Sequence, residues 1–273
     1  MRQRTQLTTA LTTGVLLALT LGGCASTTAA GGASTTPGPS SGTSSNAVPT
    51  GSITVFAAAS LQKTFTALGH DFEQAHPGTT VTFSFAGSSD LVSQIQNGAP
   101  ADVIASADQA TTAKLGKQSL ASGSPQDFAT NTLEIAVAPG NPHHIRDLAD
   151  LDDSGVQLVT CAAPVPCGAA TAAVERSSGV DLHPVSEEQS VTDVLGKVRS
   201  GQADAGIVYR TDVQGAGADV DGVPFAAAAD AVNTYPISVL RDAANPALAR
   251  AFTSYVLSSA GQRTLGNAGF GRP

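Results

Sequence analysis

Short apolar runs with a strand pattern alternate with helical-period segments along most of this chain. Residues 53–57 form one apolar run. Four apolar side chains follow it at the spacing of an amphipathic helix: Leu61, Phe65, Leu68 and Phe72. The alternation continues toward the C terminus and predicts an α/β fold of two lobes, each a mainly parallel sheet flanked by helices. A ligand would then lie in the cleft between the lobes, at the carboxyl ends of the strands.

The N-terminal residues have the pattern of an export signal. Two arginines precede the apolar stretch 7–21, which is too short for a membrane span. The stretch ends in Leu-Gly-Gly-Cys, which resembles a bacterial lipobox and implies cleavage after residue 23 and lipid on the thiol of Cys24. The alternative is an ordinary signal peptide with an incidental cysteine. Residues 24–50 are almost wholly Ser, Thr, Gly, Ala and Pro, a composition that predicts a flexible tether.

The remaining length suits two lobes of about a hundred residues each. We expect the first lobe to comprise residues 51–131 and 230–273, and the second to comprise residues 132–229. The formal net charge of −8 argues against nucleic acid and anionic lipid surfaces as partners. We expect a monomer whose contact with the membrane is made only through the N-terminal lipid.

Two serines stand where a strand pattern changes into a helical pattern. Ser60 follows the run 53–59, and Ser88 follows the run 81–87. The start of a helix offers unpaired backbone N–H groups and a positive dipole end, so two such junctions predict a socket for an anion. The alternative for each serine is an ordinary helix N-cap. Asp90 lies close to the second junction, and we expect its carboxylate to face the first helical turn rather than the socket.

Besides Cys24, the chain has two cysteines, Cys161 and Cys167. Outside the cytoplasm, two cysteines six positions apart can form a disulfide that closes a short loop. Free buried thiols are the alternative. Two cysteines without a neighbouring histidine make a poor metal site, so no residue is expected to ligate a metal cation directly.

Several motifs occur in an order that resembles the periplasmic molybdate-binding proteins. The first two are the serine junctions, FAAAS ending at Ser60 and FAGSS ending at Ser89. The others are GAPADV at 98–103, SAD at 106–108, VPCG at 165–168, DV at 193–194, GIVY at 206–209, YP at 235–236 and GF at 269–270. The resemblance covers essentially all of residues 51–273, and it is the ordered set that makes it specific.

This resemblance implies a type II periplasmic-binding-protein fold and the extracytoplasmic solute receptor of an ABC importer. The receptor would bind molybdate or tungstate, pass it to the permease subunits, need no cofactor and catalyse no reaction. The implied ligand contacts are Ser60, Ser88, Cys167, Val194 and Tyr209. Cys167 stands where the family commonly has alanine, and its backbone N–H is the implied donor. A fully deprotonated dianion offers only acceptors, so a suitable pocket offers only donors. Pocket size would select against sulfate, and the proton of phosphate would select against phosphate.

Two other functions remain open on the sequence. Ser60 and Lys63 fit the S-x-x-K pattern of serine acyl-enzymes, although the Lys-Thr-Gly and Ser-Asp-Asn motifs of those enzymes are absent from the chain. The second alternative keeps the receptor fold and changes the ligand to another oxyanion, such as sulfate or phosphate.

Overall fold

The computed structural model describes residues 48–273. The export signal, Cys24 and most of the tether lie outside these residues. Within the described part of the chain, no helix has both the length and the apolar character needed to cross a membrane.

The first lobe is a five-stranded sheet with helices on both faces. Its strands lie in the order β2-β1-β3-β10-β4. They are β1 (Gly51–Ala58), β2 (Thr79–Ala86), β3 (Val103–Ala105), β4 (Gln126–Asn131) and β10 (Asn233–Val239). The helices are α1 (Gln62–Ala75), α2 (Ser88–Gln96), α3 (Gln109–Lys117), α7 (Pro246–Leu257) and α8 (Ser259–Asn267), and a 3-10 turn, Ala59–Leu61, leads into α1.

The second lobe repeats this plan with a sheet in the order β7-β6-β8-β5-β9. Its strands are β5 (Leu133–Val137), β6 (Leu158–Cys161), β7 (Ser186–Glu188), β8 (Ala205–Tyr209) and β9 (Asp221–Val223). Its α-helices are α4 (Pro166–Ser178), α5 (Val191–Arg199) and α6 (Arg210–Ala216). Its 3-10 turns are Leu148–Asp152, Gly217–Asp219 and Ala226–Asp230.

Each lobe has its own apolar core. In the first lobe, Phe65 and Phe72 of α1 are fully buried, and their rings pack at right angles against Phe252 of α7. In the second lobe the core is mainly aliphatic and lies between the sheet and α4 and α5. The two-lobed α/β fold predicted from the sequence is therefore present in the structure.

The sheets are mainly parallel, as predicted, but each is mixed, because one of its five strands runs against the other four. In the first sheet β1 pairs in parallel with both neighbours and β10 pairs antiparallel with both of its neighbours. In the second sheet β6 is the parallel strand of this kind and β5 the antiparallel one. The reason lies in the two crossings between the lobes. β5 follows β4 directly from the first lobe, and β10 returns from the second. Both strands therefore begin at the cleft, where their neighbours end.

Candidate functional site

The starts of several helices converge on one small cavity between the two lobes. From the first lobe it is lined by the 3-10 turn that leads into α1, by the start of α2 and by the residue before the cap of α3. From the second lobe it is lined by the starts of α4 and α5 and by the end of β8. The lining residues are Ala58, Ala59, Ser60, Gly87, Ser88, Ala107, Val165, Pro166, Cys167, Val191 and Tyr209. Because the first N–H groups of a helix have no intrahelical partner, the cavity wall is rich in backbone donors.

The hydroxyl oxygens of the two predicted serines are both held by neighbours. Ser88 Oγ accepts the backbone N–H of Ala107 at 3.0 Å, and Ser88 is almost fully buried. Ser60 Oγ lies 3.0 Å from the phenolic oxygen of Tyr235. The backbone N–H of Ala107 uses one lone pair of Ser88 Oγ, and the proton of Ser88 is available to a ligand in the cavity.

Tyr209 supplies a buried phenol that has no hydrogen-bond partner among residues 48–273. Burial, and after it the neighbouring Tyr235 hydroxyl, raise the pKa of Tyr209 well above its usual value. The phenol therefore stays protonated and can only be satisfied as a donor by something in the cavity. An orphaned polar group in a buried position is costly, and such groups cluster where ligands bind.

Cys167 reaches the cavity through the first turn of α4. Pro166 occupies the first helical position, where it has no N–H to lose, and Cys167 follows. The structure joins Cys161 and Cys167 in a disulfide. The loop between them is so tight that a Cβ on Gly168 would lie 2.1 Å from the Ala162 carbonyl oxygen. The thiol of Cys167 is thereby occupied, which leaves the backbone N–H as its polar group toward the cavity.

The structure does not bring Val194 to the cavity. Its side chain is buried in the core of the second lobe, and its N–H donates to the Ser190 carbonyl at 3.3 Å, inside helix α5. Val191, the first residue of that helix, lines the cavity instead. The assignment of Val194 was therefore wrong by about one helical turn, since only the residues before the fourth position of a helix have free N–H groups.

Two charged residues considered in the sequence analysis, Asp90 and Lys63, do not line the cavity. Asp90 is exposed in the first turn of α2, as expected, and it is not part of the cavity wall. Lys63 is exposed, and its Nζ donates to the Gly215 carbonyl at 3.3 Å. Because the partner of Ser60 is a phenol rather than Lys63, the arrangement lacks the base that the S-x-x-K reading requires.

The lobes meet closely around the cavity. Ser89 Oγ in α2 donates to the Pro164 carbonyl of the second lobe at 2.5 Å. Beside it, a Cβ on Gly87 would lie 2.1 Å from the Gln189 carbonyl oxygen, so only glycine allows this approach. The structure therefore shows the cleft in a closed arrangement.

Comparison with known proteins identifies the family. The sequence profile of the family described as bacterial extracellular solute-binding protein matches residues 53–271. The chain belongs to this family. A solute-binding protein needs a closable cleft lined by ligand contacts from both lobes, and the cavity described above has this character.

Several relatives of this solute-binding protein are named as molybdate-binding proteins. The molybdate-binding protein ModA of Mycobacterium tuberculosis strain H37Rv is 50% identical over 239 residues, which are 86% of this chain and 92% of the relative. The ModA protein of Escherichia coli strain K12 is 31% identical over 217 residues, covering 76% and 83% of the two chains. Among solved structures, the periplasmic molybdate-binding protein of Azotobacter vinelandii superimposes with a TM-score of 0.72 at 24% identity, over 81% of this chain and 99% of that one, which supports the fold.

Sequence reasoning missed two residues behind the cavity wall of this solute-binding protein. Tyr235 of β10 is fully buried and contacts Ser60, and Asn131 at the end of β4 contacts Tyr235. Tyr235 belongs to the YP motif at 235–236, but nothing in its local pattern indicates a partner 175 positions away. Asn131 lies in a short strand with few apolar residues that the periodicity did not predict.

Proposed function

We propose that this chain is the extracytoplasmic receptor of an ABC importer and that it binds molybdate, or the nearly isosteric tungstate. The oxyanion would be held by the hydroxyls of three side chains and by backbone N–H groups from two helix starts. The side chains are Ser60, Ser88 and Tyr209, and the backbone donors are Cys167 and Val191. No cofactor and no catalysed reaction belong to this proposal.

The orphaned phenol of Tyr209 is the observation that carries the proposal. It is buried in a cavity whose other polar groups are helix-start N–H groups and serine hydroxyls, and no Lys, Arg, Asp or Glu is among the residues that line the cavity. A ligand that satisfies this wall must present acceptors on all sides, which a fully deprotonated tetrahedral dianion does. Helix dipoles stabilise its charge without a buried counter-ion.

The relatives support the choice of ion. Proteins named for molybdate binding are similar to this chain over nearly its whole folded length. We further propose that the chain is anchored to the outer face of the cell membrane through lipid on Cys24, acts as a monomer and docks with permease subunits. The lipobox-like sequence is the basis for the anchor.

The test is titration calorimetry of the purified protein with molybdate, tungstate, sulfate and phosphate. We expect saturable binding of molybdate and tungstate at one site. In Ser60→Ala and Ser88→Ala the molybdate affinity should fall about tenfold to a hundredfold, because a hydrogen bond to a charged group contributes about 1.5–3 kcal/mol.

A matched control is available on the same helix as Ser88. Ser93 is exposed on α2 and does not line the cavity, so Ser93→Ala should leave the affinity unchanged. Binding of sulfate or phosphate without any response to molybdate would refute the choice of ion. Equal molybdate affinity in native protein and in both cavity variants would refute the site.

A further inference from the structure

A chain of hydrogen bonds runs from the crossing between the lobes to the cavity wall. It begins at Asn131, the last residue of β4, and passes through Tyr235 of β10 to Ser60. All three residues are buried, and Asn131 and Tyr235 lie behind the cavity wall, so their polar groups need partners within the protein. Which atom donates in each of these hydrogen bonds therefore decides whether Ser60 donates or accepts at the cavity.

The orientation of the Asn131 amide is set by the backbone. Thr132 donates its N–H to Asn131 Oδ1 at 3.1 Å, which identifies the oxygen of the amide. The Nδ2 group must then be the donor toward the other side, where it lies 2.8 Å from Thr211 Oγ1 and 3.4 Å from the Tyr235 hydroxyl. Tyr235 therefore receives a hydrogen bond from Asn131.

The next hydrogen bond, between Tyr235 and Ser60, also has a fixed donor. Burial, the largest influence, raises the pKa of Tyr235, so the phenol keeps its proton. Among residues 48–273, Ser60 Oγ at 3.0 Å is the acceptor for that proton, since Asn131 donates to the same phenol and the Tyr209 hydroxyl forms no hydrogen bond of regular geometry. Ser60 must then accept from Tyr235, and its own proton is left for the ligand.

We propose that Tyr235, oriented by Asn131, is a specificity-determining residue that makes Ser60 a donor and thereby excludes protonated oxyanions from the site. The inference rests on the proposed function and deepens it. A monohydrogen anion such as phosphate carries a proton that needs an acceptor in the pocket. None of the three hydroxyls in the cavity wall can serve as that acceptor, and the reason differs for each.

The three hydroxyls differ in what prevents them from accepting. Ser88 Oγ already accepts the backbone N–H of Ala107, which no substitution of a side chain removes, and accepting a proton from the ligand as well would leave its own proton without an acceptor in the ligand. Tyr209 would leave its own proton unpaired in a buried position if it accepted from the ligand. Ser60 alone of the three depends on another side chain, so Tyr235 is the position at which the selectivity can be changed by mutation.

The test is Tyr235→Phe, which keeps the ring and removes the hydroxyl. The freed Ser60 hydroxyl can rotate, so molybdate affinity should fall about tenfold, corresponding to about 1.4 kcal/mol. Displacement of molybdate by sulfate and by phosphate is then measured at mildly alkaline pH. These two anions are close in size, but only phosphate carries a proton, so their ratio separates the effect of the proton from the effect of size.

In Tyr235→Phe we expect the affinity for phosphate to rise about tenfold relative to the affinity for sulfate, because Ser60 can now accept the proton of phosphate. Tyr255→Phe is the matched control, since Tyr255 lies on α7 against Phe72 and does not line the cavity. A purely structural role of Tyr235 would weaken all three anions by the same factor, and that result overturns the inference, as does an unchanged ratio of sulfate to phosphate. If the native protein fails to bind molybdate at all, the proposed function fails instead.

Discussion

Asp212 gives the structure a pH dependence that one substitution should remove. The residue lies in the first turn of α6 and is buried, and its Oδ2 accepts the backbone N–H of Tyr209 at 3.0 Å. Burial raises the pKa of the Asp212 carboxyl to about 7, although the hydrogen bond from Tyr209 opposes this. At neutral pH this carboxyl is therefore close to half protonated in the folded protein.

The sign of the effect follows from the two pKa values. In the unfolded chain the carboxyl loses its proton near pH 3.8, whereas in the folded protein it keeps it until about pH 7. The folded state thus binds more protons in this window, and its stability falls as pH rises, by about 1.4 kcal/mol per pH unit. The total loss is about 4 kcal/mol, complete above pH 7 and absent below pH 4.

Asp212→Asn should abolish this loss. The amide is neutral at every pH, and its oxygen can still accept from Tyr209 N–H. Above pH 7 the variant should be more stable than the native protein by roughly 2–4 kcal/mol, with the lower value allowing for the new N–H₂ group that burial leaves without a partner. Toward pH 4 the difference should vanish or change sign.

Urea unfolding from acid to alkaline pH measures this difference directly. The free energy of unfolding of Asp212→Asn is compared with that of the native protein at each pH, and Asp90→Asn serves as a control at an exposed carboxylate. A stability difference that does not change between about pH 4 and pH 7 would refute the reasoning.

Two further predictions concern closure and the disulfide. Gly87→Ala places a Cβ 2.1 Å from the Gln189 carbonyl oxygen, so the variant should resist closure and bind molybdate more than about tenfold more weakly. In X-ray scattering, its radius of gyration should stay large in excess molybdate. Unchanged affinity would contradict the role of this contact. Replacing both Cys161 and Cys167 by alanine opens a short loop, which should cost about 2 kcal/mol in urea unfolding. Molybdate binding should survive, because the donor at Cys167 is a backbone N–H, and loss of binding at unchanged stability would argue against this assignment.

The sequence predicted the parts of the site that local patterns encode. Ser60 and Ser88 stand where an apolar strand pattern changes into a helical one, and this signal is visible within a few residues. Tyr209 was implied by the resemblance to the molybdate-binding proteins and not by a local pattern. Val194 was misplaced although a local signal was present. Ser190 caps α5 by accepting from the Asp193 N–H, and this Ser-x-x-Asp spacing marks Val191 as the first helical residue.

Other features could not be predicted because they depend on distant pairing. β4 contains only two buried apolar side chains, Phe128 and Ala129, and it exists because it pairs with β10 more than a hundred residues later. The role of Asn131 follows from that pairing. Strand direction likewise has no local signature, which is why the antiparallel entry of β5 and β10 was missed.

The absence of charged side chains from the cavity wall has a consequence for the loaded receptor. A pocket that neutralises its ligand with Lys or Arg is positive when empty and close to neutral when loaded. In this chain only dipoles would meet the ligand, so the empty cavity wall carries no charged side chain, and a bound dianion would leave the cleft of an already acidic chain negative. Loaded and empty molecules should then separate on a native gel, with the loaded form moving faster toward the anode. A transporter presented with both forms would meet two surfaces of measurably different electrostatic potential.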